Sequence, residues 1–546
     1  MIFKASYRAP IKQHDVCVVG SGPVGISFAV EAARHGLRVL LLESGQERAL
    51  AAAQNLSDAH IVDPARHDPM KIAVARRLGG TSNLWGARCL PFDSIDFVDR
   101  RPLVDATWPI EWSDIAPYFD RACELTASGR AVYRSPIEGL VPQSGDFELD
   151  ALERWANIQA AQNVHREILR DSPSIEVRLG MTVVGLDFAE NGTVEGIRIV
   201  RADGSRIRLP VERVVIAAGG LESTRLLLAA QREVPTRFGG PDGPLGRYYM
   251  AHITGMIADI VLDKKIDRQF NFHVDEYGSY VRRRFVPSQD LQLREGLLNT
   301  ALWPVVPAIS NPAHGSAILS SIYLALAWGP IGRLLIAEAI RKRHISNGPK
   351  AIGAHLRNLS TGIPEALAFS FDFFKSRYFS RERLPGFFLN SASRTYGLFY
   401  HAEQTPQPDS RVRLADDRDG TGLQRLFIDL RFCDADAASV VQTHDLFSDW
   451  LTCSGLGHIA WHHPPEDRVA AVMAQASHGT HQIGTIRMGH SSSNAVVDRN
   501  LATFDARNLY VVSTAVLPTS GQANPTFTAI ALAARLAEHL SKISSC

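Results

Sequence analysis

Near the N-terminus an apolar run, Asp15-Val-Cys-Val-Val, enters Gly20-Ser-Gly22-Pro-Val-Gly25, and a helix-favouring stretch follows over 26–35. Gly36 closes that helix, 38–42 reads as a second strand, and Glu43 stands at its end. Few folds accept this order. The first glycine permits a tight turn, the second lets a ligand approach the backbone, and the third lets helix lie on strand. A diphosphate then sits at the helix N-terminus, and the acid meets a ribose 2′-hydroxyl. The pattern predicts an α/β, Rossmann-like nucleotide domain with Gly20, Gly22, Gly25 and Glu43 as its contacts. Glu43 would repel a 2′-phosphate, so NADP is disfavoured.

The chain is long enough for two domains, with 546 residues, 45% hydrophobic and 21% charged. A formal charge of +1 argues against a nucleic-acid partner, which needs a basic surface to neutralise phosphates. Six cysteines without CxxC spacing point to reduced thiols and a cytoplasmic setting. No apolar leader precedes the first strand, so a cleaved secretory signal is not expected.

Between the ends, 76–86 is a glycine-rich loop whose backbone suits close approach to a flat ligand. Strand-like runs at 176–179, 183–188 and 194–199 read as a small β-meander. The apolar run 214–218, ending in Gly219-Gly220, reads as a buried strand rejoining the nucleotide sheet. From about 250 to 475 the chain is aromatic-rich and broken by prolines, and it reads as an irregular, separate substrate domain. The last helix, 525–540, returns to the first domain. The expected division is 1–250 with 475–546 for the nucleotide, and 251–474 for the substrate.

The C-terminal block is the sharpest chemical signal: His478-Gly-Thr-His481, then Gly484-Thr-Ile-Arg487-Met-Gly489, Asn508-Leu-Tyr-Val, Pro518-Thr519 and Asn524-Pro525-Thr526 opening a helix. Together with the N-terminal fingerprint, Gly79-Gly80-Thr81-Ser82-Asn83-Leu84-Trp85 and Ala217-Ala218-Gly219-Gly220, it resembles the glucose-methanol-choline (GMC) family of FAD-dependent alcohol oxidoreductases. Within that family it looks most like the bacterial branch of pyranose oxidases, sugar 3-oxidases and fructose dehydrogenases. The resemblance implies FAD and a second domain with a mixed or antiparallel sheet. It also implies isoalloxazine backing by Gly80, Thr81 and Asn83, an adenine contact at Val183, contacts at Ala218 and Gly219, and Pro525 and Thr526 facing the flavin pyrimidine. The loop lacks the histidine that links flavin covalently in some members, so noncovalent FAD is expected.

Oxidising an alcohol by hydride transfer leaves a hydroxyl proton to be taken up. Imidazole, with an ordinary pKa of about 6.5, can take it near neutrality, which makes His481 the candidate base. Asn524 can hold the substrate oxygen, or simply cap the helix that Pro525 begins. His478 reads as a support behind His481 or as structural, and no ligand spacing for a metal appears. The expected activity is oxidation of a CH–OH group of a sugar-like or polyhydroxylated alcohol, with oxygen or an electron carrier as acceptor. The alternative is a flavin-dependent lyase resembling the family's hydroxynitrile lyases, in which FAD does not turn over.

The stretch 315–332 is uncharged and apolar and precedes Arg341-Lys-Arg-His344; 364–378 is rich in aromatics around Lys375 and Arg377. Pro330, Arg333 and Glu338 spoil a bilayer span. This apolar helical insertion, 315–380, either packs on its own fold or a sister subunit in a homo-oligomer, or makes a membrane-surface or lipid contact through 315–345, and 364–378 either belongs to the same surface or lines the substrate entrance.

Overall fold

The computed structural model describes residues 1–4, 10–140, 142–336, 338–345, 350–391 and 393–544. Its centre is a seven-stranded sheet in the order Ile2–Phe3, Ile175–Leu179, Val39–Glu43, Val16–Val19, Val214–Ile216, Ala506–Val511, Ala502–Thr503. All neighbours are parallel except the last pair. The inner strands are buried along their whole length, as expected of a sheet covered on both faces. Helices Pro23–Arg34 and Pro525–Ser544 pack on one another against it, so the two ends of the chain share one core.

The meander differs from expectation. Ile175–Leu179 belongs to the central sheet, parallel to Val39–Glu43, and the antiparallel meander is Met181–Phe188, Val194–Arg201 and Arg206–Pro210. Gly180, at φ +69°, makes the turn that separates the two sheets after a single residue.

The stretch from 250 to 475 is not irregular. It forms an antiparallel sheet in the order Thr300–Val305, Thr395–Ala402, Ile253–Leu262, Gly457–Trp461, with helices Asp434–Cys453 and Arg468–Gln475 packed on it. Tyr396, Leu398, Tyr400 and Ala402 point into that helix-covered core, and the alternate residues Phe399 and His401 line a cavity on the opposite face. Strands from the first 250 residues also pair with this half: Leu152–Trp155 joins Tyr280–Arg283, and Ala59–Ile61 joins Gln424–Asp429. The halves interleave. Helices between Ala317 and Tyr378 form an outer layer over the 315–380 insertion.

Candidate active site

A cavity of about 450 Å³ runs along the seam between the two sheets. At one end lie Gly20, Gly22 and Glu43; at the other, Trp303, Phe399, His401, His481 and Asn524.

The glycines divide their work as the fingerprint requires. Gly20 turns at φ +102°, and a Cβ there would meet the Ala217 carbonyl oxygen at 2.7 Å. Gly25 lies in the first turn of the helix Pro23–Arg34, where a Cβ would run into the Gly20 carbonyl. A Cβ at Gly22, by contrast, would meet nothing within 4 Å and project into open space. This is a cradle that a side chain would fill. Glu43 is buried; one carboxylate oxygen accepts from Ser21 N at 3.1 Å and Ser21 Oγ at 2.5 Å, the other from Gly45 N at 2.7 Å. It therefore braces the glycine turn while it borders the cavity.

Three helix N-termini open on this space, at Gly22–Pro23, Gly219–Gly220 and Asn524–Pro525. The first and last have no acid in their first turn, so their N–H dipoles are left for an anionic ligand. Glu222 in the other is drawn off by Arg76 at 2.7 Å and Arg225 at 3.4 Å. A diphosphate and an electron-rich ring edge fit these donors.

Of the other expected contacts, Gly80, Thr81, Val183, Ala218, Gly219, Pro525 and Thr526 all line the cavity. Asn83 does not. Its carboxamide donates to the Leu78 and Gly80 carbonyls and accepts from Gln162, so it closes the loop from behind, while Ser82 and Leu84 reach the cavity.

At the far end His481 and Asn524 meet, with Nε2 and Nδ2 3.1 Å apart. Hydrogen bonds determine which imidazole nitrogen carries the proton. His252 Nε2 lies 3.2 Å from the Ser520 carbonyl, which only accepts, so Nε2 is the protonated nitrogen and Nδ1 holds a lone pair. His481 Nδ1, 2.8 Å from that lone pair, must donate to it. His481 Nε2 is thereby left with its lone pair towards Asn524 and the cavity. Arg88 Nε, a donor only, sits 2.6 Å from Asn524 Oδ1, which turns the asparagine NH2 towards His481.

Burial, with the nearby Arg88 charge, lowers the His252 pKa to about 3, so it stays neutral at working pH. His401 is held well below its ordinary value by burial and by the neighbouring His252 and Arg88; its Nδ1 donates to the Gln522 carbonyl at 2.6 Å. Burial also lowers the Arg88 pKa, opposed by Glu153 at 2.9 Å. Glu153 is pushed up by burial, but Arg282, Arg88 and Arg284 outweigh that and hold the carboxylate below its usual range. Trp303 and Phe399 form an aromatic wall, ring centroids 5.1 Å apart.

Sequence reasoning missed His252, His401, Arg88 and Glu153. The histidines of the site do cluster: ring nitrogens of His252, His401 and His481 lie within 4.8 Å of one another. His478, expected to support the site from behind His481 or to be structural, stacks on His481 at 4.3 Å and also borders the cavity. Only Arg88 left a trace, as a lone charge just after the glycine loop.

Comparisons with known proteins agree with this construction. Residues 406–533 match the GMC oxidoreductase family, and residues 14–236 match the pyridine nucleotide-disulphide oxidoreductase family. The 2-methyl-1,2-propanediol dehydrogenase of Mycolicibacterium austroafricanum is 25% identical over 97% of this chain and 95% of its own. Among solved structures, pyridoxine 4-oxidase from Mesorbium loti is 16% identical with a TM-score of 0.50, over 96% of this chain and 99% of its own. An FAD-dependent oxidoreductase from Chaetomium thermophilum is 14% identical with a TM-score of 0.53, over 98% and 100%. An Aspergillus oryzae RIB40 formate oxidase variant is 13% identical with a TM-score of 0.52, over 97% and 98%. The fold is mixed α/β, an FAD-binding Rossmann-type domain with a GMC-type substrate domain. The chain is an FAD-dependent alcohol oxidoreductase.

Proposed function

We propose that this oxidoreductase converts a CH–OH group of a sugar-like or polyhydroxylated alcohol to a carbonyl, with His481 as the base. The carrying observation is the lone pair on His481 Nε2, oriented by His252 and set beside the Asn524 NH2. FAD, held noncovalently by the glycine cradle and the three helix N-termini, supplies the hydride acceptor and is reoxidised by oxygen or an electron carrier.

The substrate hydroxyl takes the place of the Asn524 N–H on the His481 Nε2 lone pair, and the displaced Asn524 NH2 donates to the same oxygen, which fixes it against the imidazole. As the C–H electron pair leaves, His481 takes the proton. The resulting imidazolium keeps its Nδ1–H on His252, which is held neutral and so offers no competing positive charge. Trp303 and Phe399 give an apolar face to a ring or chain, while Thr254 and Arg88 offer polar contacts to further hydroxyls. The diol named for the Mycolicibacterium relative supports a substrate with more than one hydroxyl.

The test is a panel of sugars, glycosides, polyols and aromatic alcohols, assayed with oxygen and with an artificial acceptor. The expected outcome is anaerobic bleaching of the flavin by a polyhydroxylated alcohol, with kcat lower by about 10²–10⁴ in His481→Ala while bound FAD is retained. Near-wild-type turnover in that variant, or cleavage of substrate while the flavin stays yellow, would overturn the assignment.

A further inference from the structure

The outer helical layer carries an apolar face on its solvent side. On Ile363–Tyr378 the residues Ile363, Leu367, Phe371, Phe374 and Tyr378 follow one another at helical spacing along a single exposed stripe, with Leu367 65% and Phe371 70% exposed. Phe379, 85% exposed, continues it, and the Tyr378 hydroxyl donates to the Leu335 carbonyl at 3.5 Å, beside Leu334 at 83%. The inward face of the same helix is apolar too: Ala366 is buried, and Phe369 and Phe373 pack around Phe387. A helix apolar on both sides belongs in a core or against an apolar medium, yet this one lies on the outside of the molecule.

Charge says what covers it. Residues 315–380 carry eight Lys or Arg against three Asp or Glu, a surplus of +5 on a chain whose total is +1. Among the described residues Arg333, Lys350, Arg357 and Lys375 are exposed against Glu365 and Asp372, so a second copy seated on this face in a twofold dimer would bring a net cationic surface against its like. An anionic bilayer complements both the charge and the exposed Phe, Leu and Trp side chains, which is the composition of helices that lie in a membrane interface. Crossing the bilayer is not implied: among the described residues no single helix is long and apolar enough, and the apolar pair Ala317–Ala327 and Gly329–Leu335 is bent by 105°.

We propose that the 315–380 helical layer docks the enzyme on an anionic phospholipid surface, with the stripe from Ile363 to Phe379 sunk among the headgroups. The layer follows directly on the strand Thr300–Val305, which carries Trp303 into the cavity, so docking brings the substrate-binding half close to the membrane. This stands apart from the choice of substrate.

The test is cosedimentation of the FAD-loaded enzyme with phosphatidylcholine vesicles, with and without phosphatidylglycerol. Binding is expected only to the anionic vesicles, and it should weaken as salt shortens the screening length. Leu367→Ser with Phe371→Ser should lower the partition at least about tenfold, and Lys375→Gln alone about fivefold, at roughly the worth of one basic residue near such a surface. Both variants should oxidise a soluble alcohol at the wild-type rate, which shows that the fold survives. Blue-shifted emission on vesicles, lost in Trp328→Phe, would place the 62%-exposed Trp328 in the interface. Wild-type enzyme left in the supernatant, equal binding to uncharged vesicles, or a vesicle-indifferent dimer broken by Phe371→Ser would each overturn the proposal.

Discussion

The two ends of the cavity are built by opposite means. The nucleotide end is mostly backbone: a glycine turn, helix N-termini, and one carboxylate that braces the turn. The catalytic end is a relay of side chains from five separate places: Arg88, His252, His401, His481 and Asn524. A motif read along the chain can specify the first, because its parts are neighbours in sequence. The second exists only once the central sheet and the antiparallel sheet have closed on one another.

The sharpest way to break this comparison is to add one methyl at two neighbouring glycines. Gly25→Ala drives a Cβ into the Gly20 carbonyl, so helix and strand must separate; loss of more than about 3 kcal/mol and of flavin together is expected. Gly22→Ala meets only open space, and its apoprotein should stay within about 0.5 kcal/mol of wild type. Its flavin affinity should nevertheless fall about 10–100-fold, the worth of a charge-assisted hydrogen bond from backbone to phosphate. Calorimetry of the apoproteins with flavin titration separates the two roles. Equal effects at both positions would mean that the turn is not divided between fold and ligand.

Arg88 poses the matching question at the catalytic end. Arg88→Met leaves Glu153 paired to Arg282 but takes away the donor to Asn524 Oδ1, so only the bond to His481 Nε2, which the substrate must displace, still orients the carboxamide. A fall in kcat of about 10–100-fold with unchanged flavin content is expected, and Asn524→Ala should then add little in the double variant. Steady-state kinetics of the two singles and the double measure that coupling. Fully additive losses would show that Arg88 does not act through Asn524.

What could be read from the sequence follows the same line. Gly20, Gly22, Gly25, Glu43, Gly80 and the Asn524-Pro525 helix start announce themselves by spacing, and the structure brings all of them but the helix-packing Gly25 to the cavity wall or its rim. His252 and His401 carry no local signal, since each is one polar residue at or beside a strand of aromatics and aliphatics whose pairing partner lies some 150 residues away. The strands of 250–475 were hidden for a related reason. Tyr396 to Ala402 is apolar on both faces, because one faces a helix-covered core and the other a ligand cavity, so the alternation that marks a half-exposed strand is missing. Asn83 shows the converse limit. Its place in the glycine loop suggested a ligand contact, but its three hydrogen bonds within the protein give it the work of closing that loop.

A further expected effect concerns acid. His252 titrates near 3 in the folded protein and at about 6.5 when unfolded, so between those values the unfolded chain holds a proton that the native state refuses. Stability is therefore complete above about pH 6.5 and falls as pH drops towards 3, by about 2 kcal/mol at pH 5 from this group alone. His401, shifted in the same direction, adds to the slope. In His252→Asn the carboxamide does not titrate, so its melting temperature should start lower at pH 7.5 but decline less steeply between pH 6.5 and 5. A variant whose acid slope matches wild type would place the buried proton-refusing group elsewhere than in the relay that orients His481.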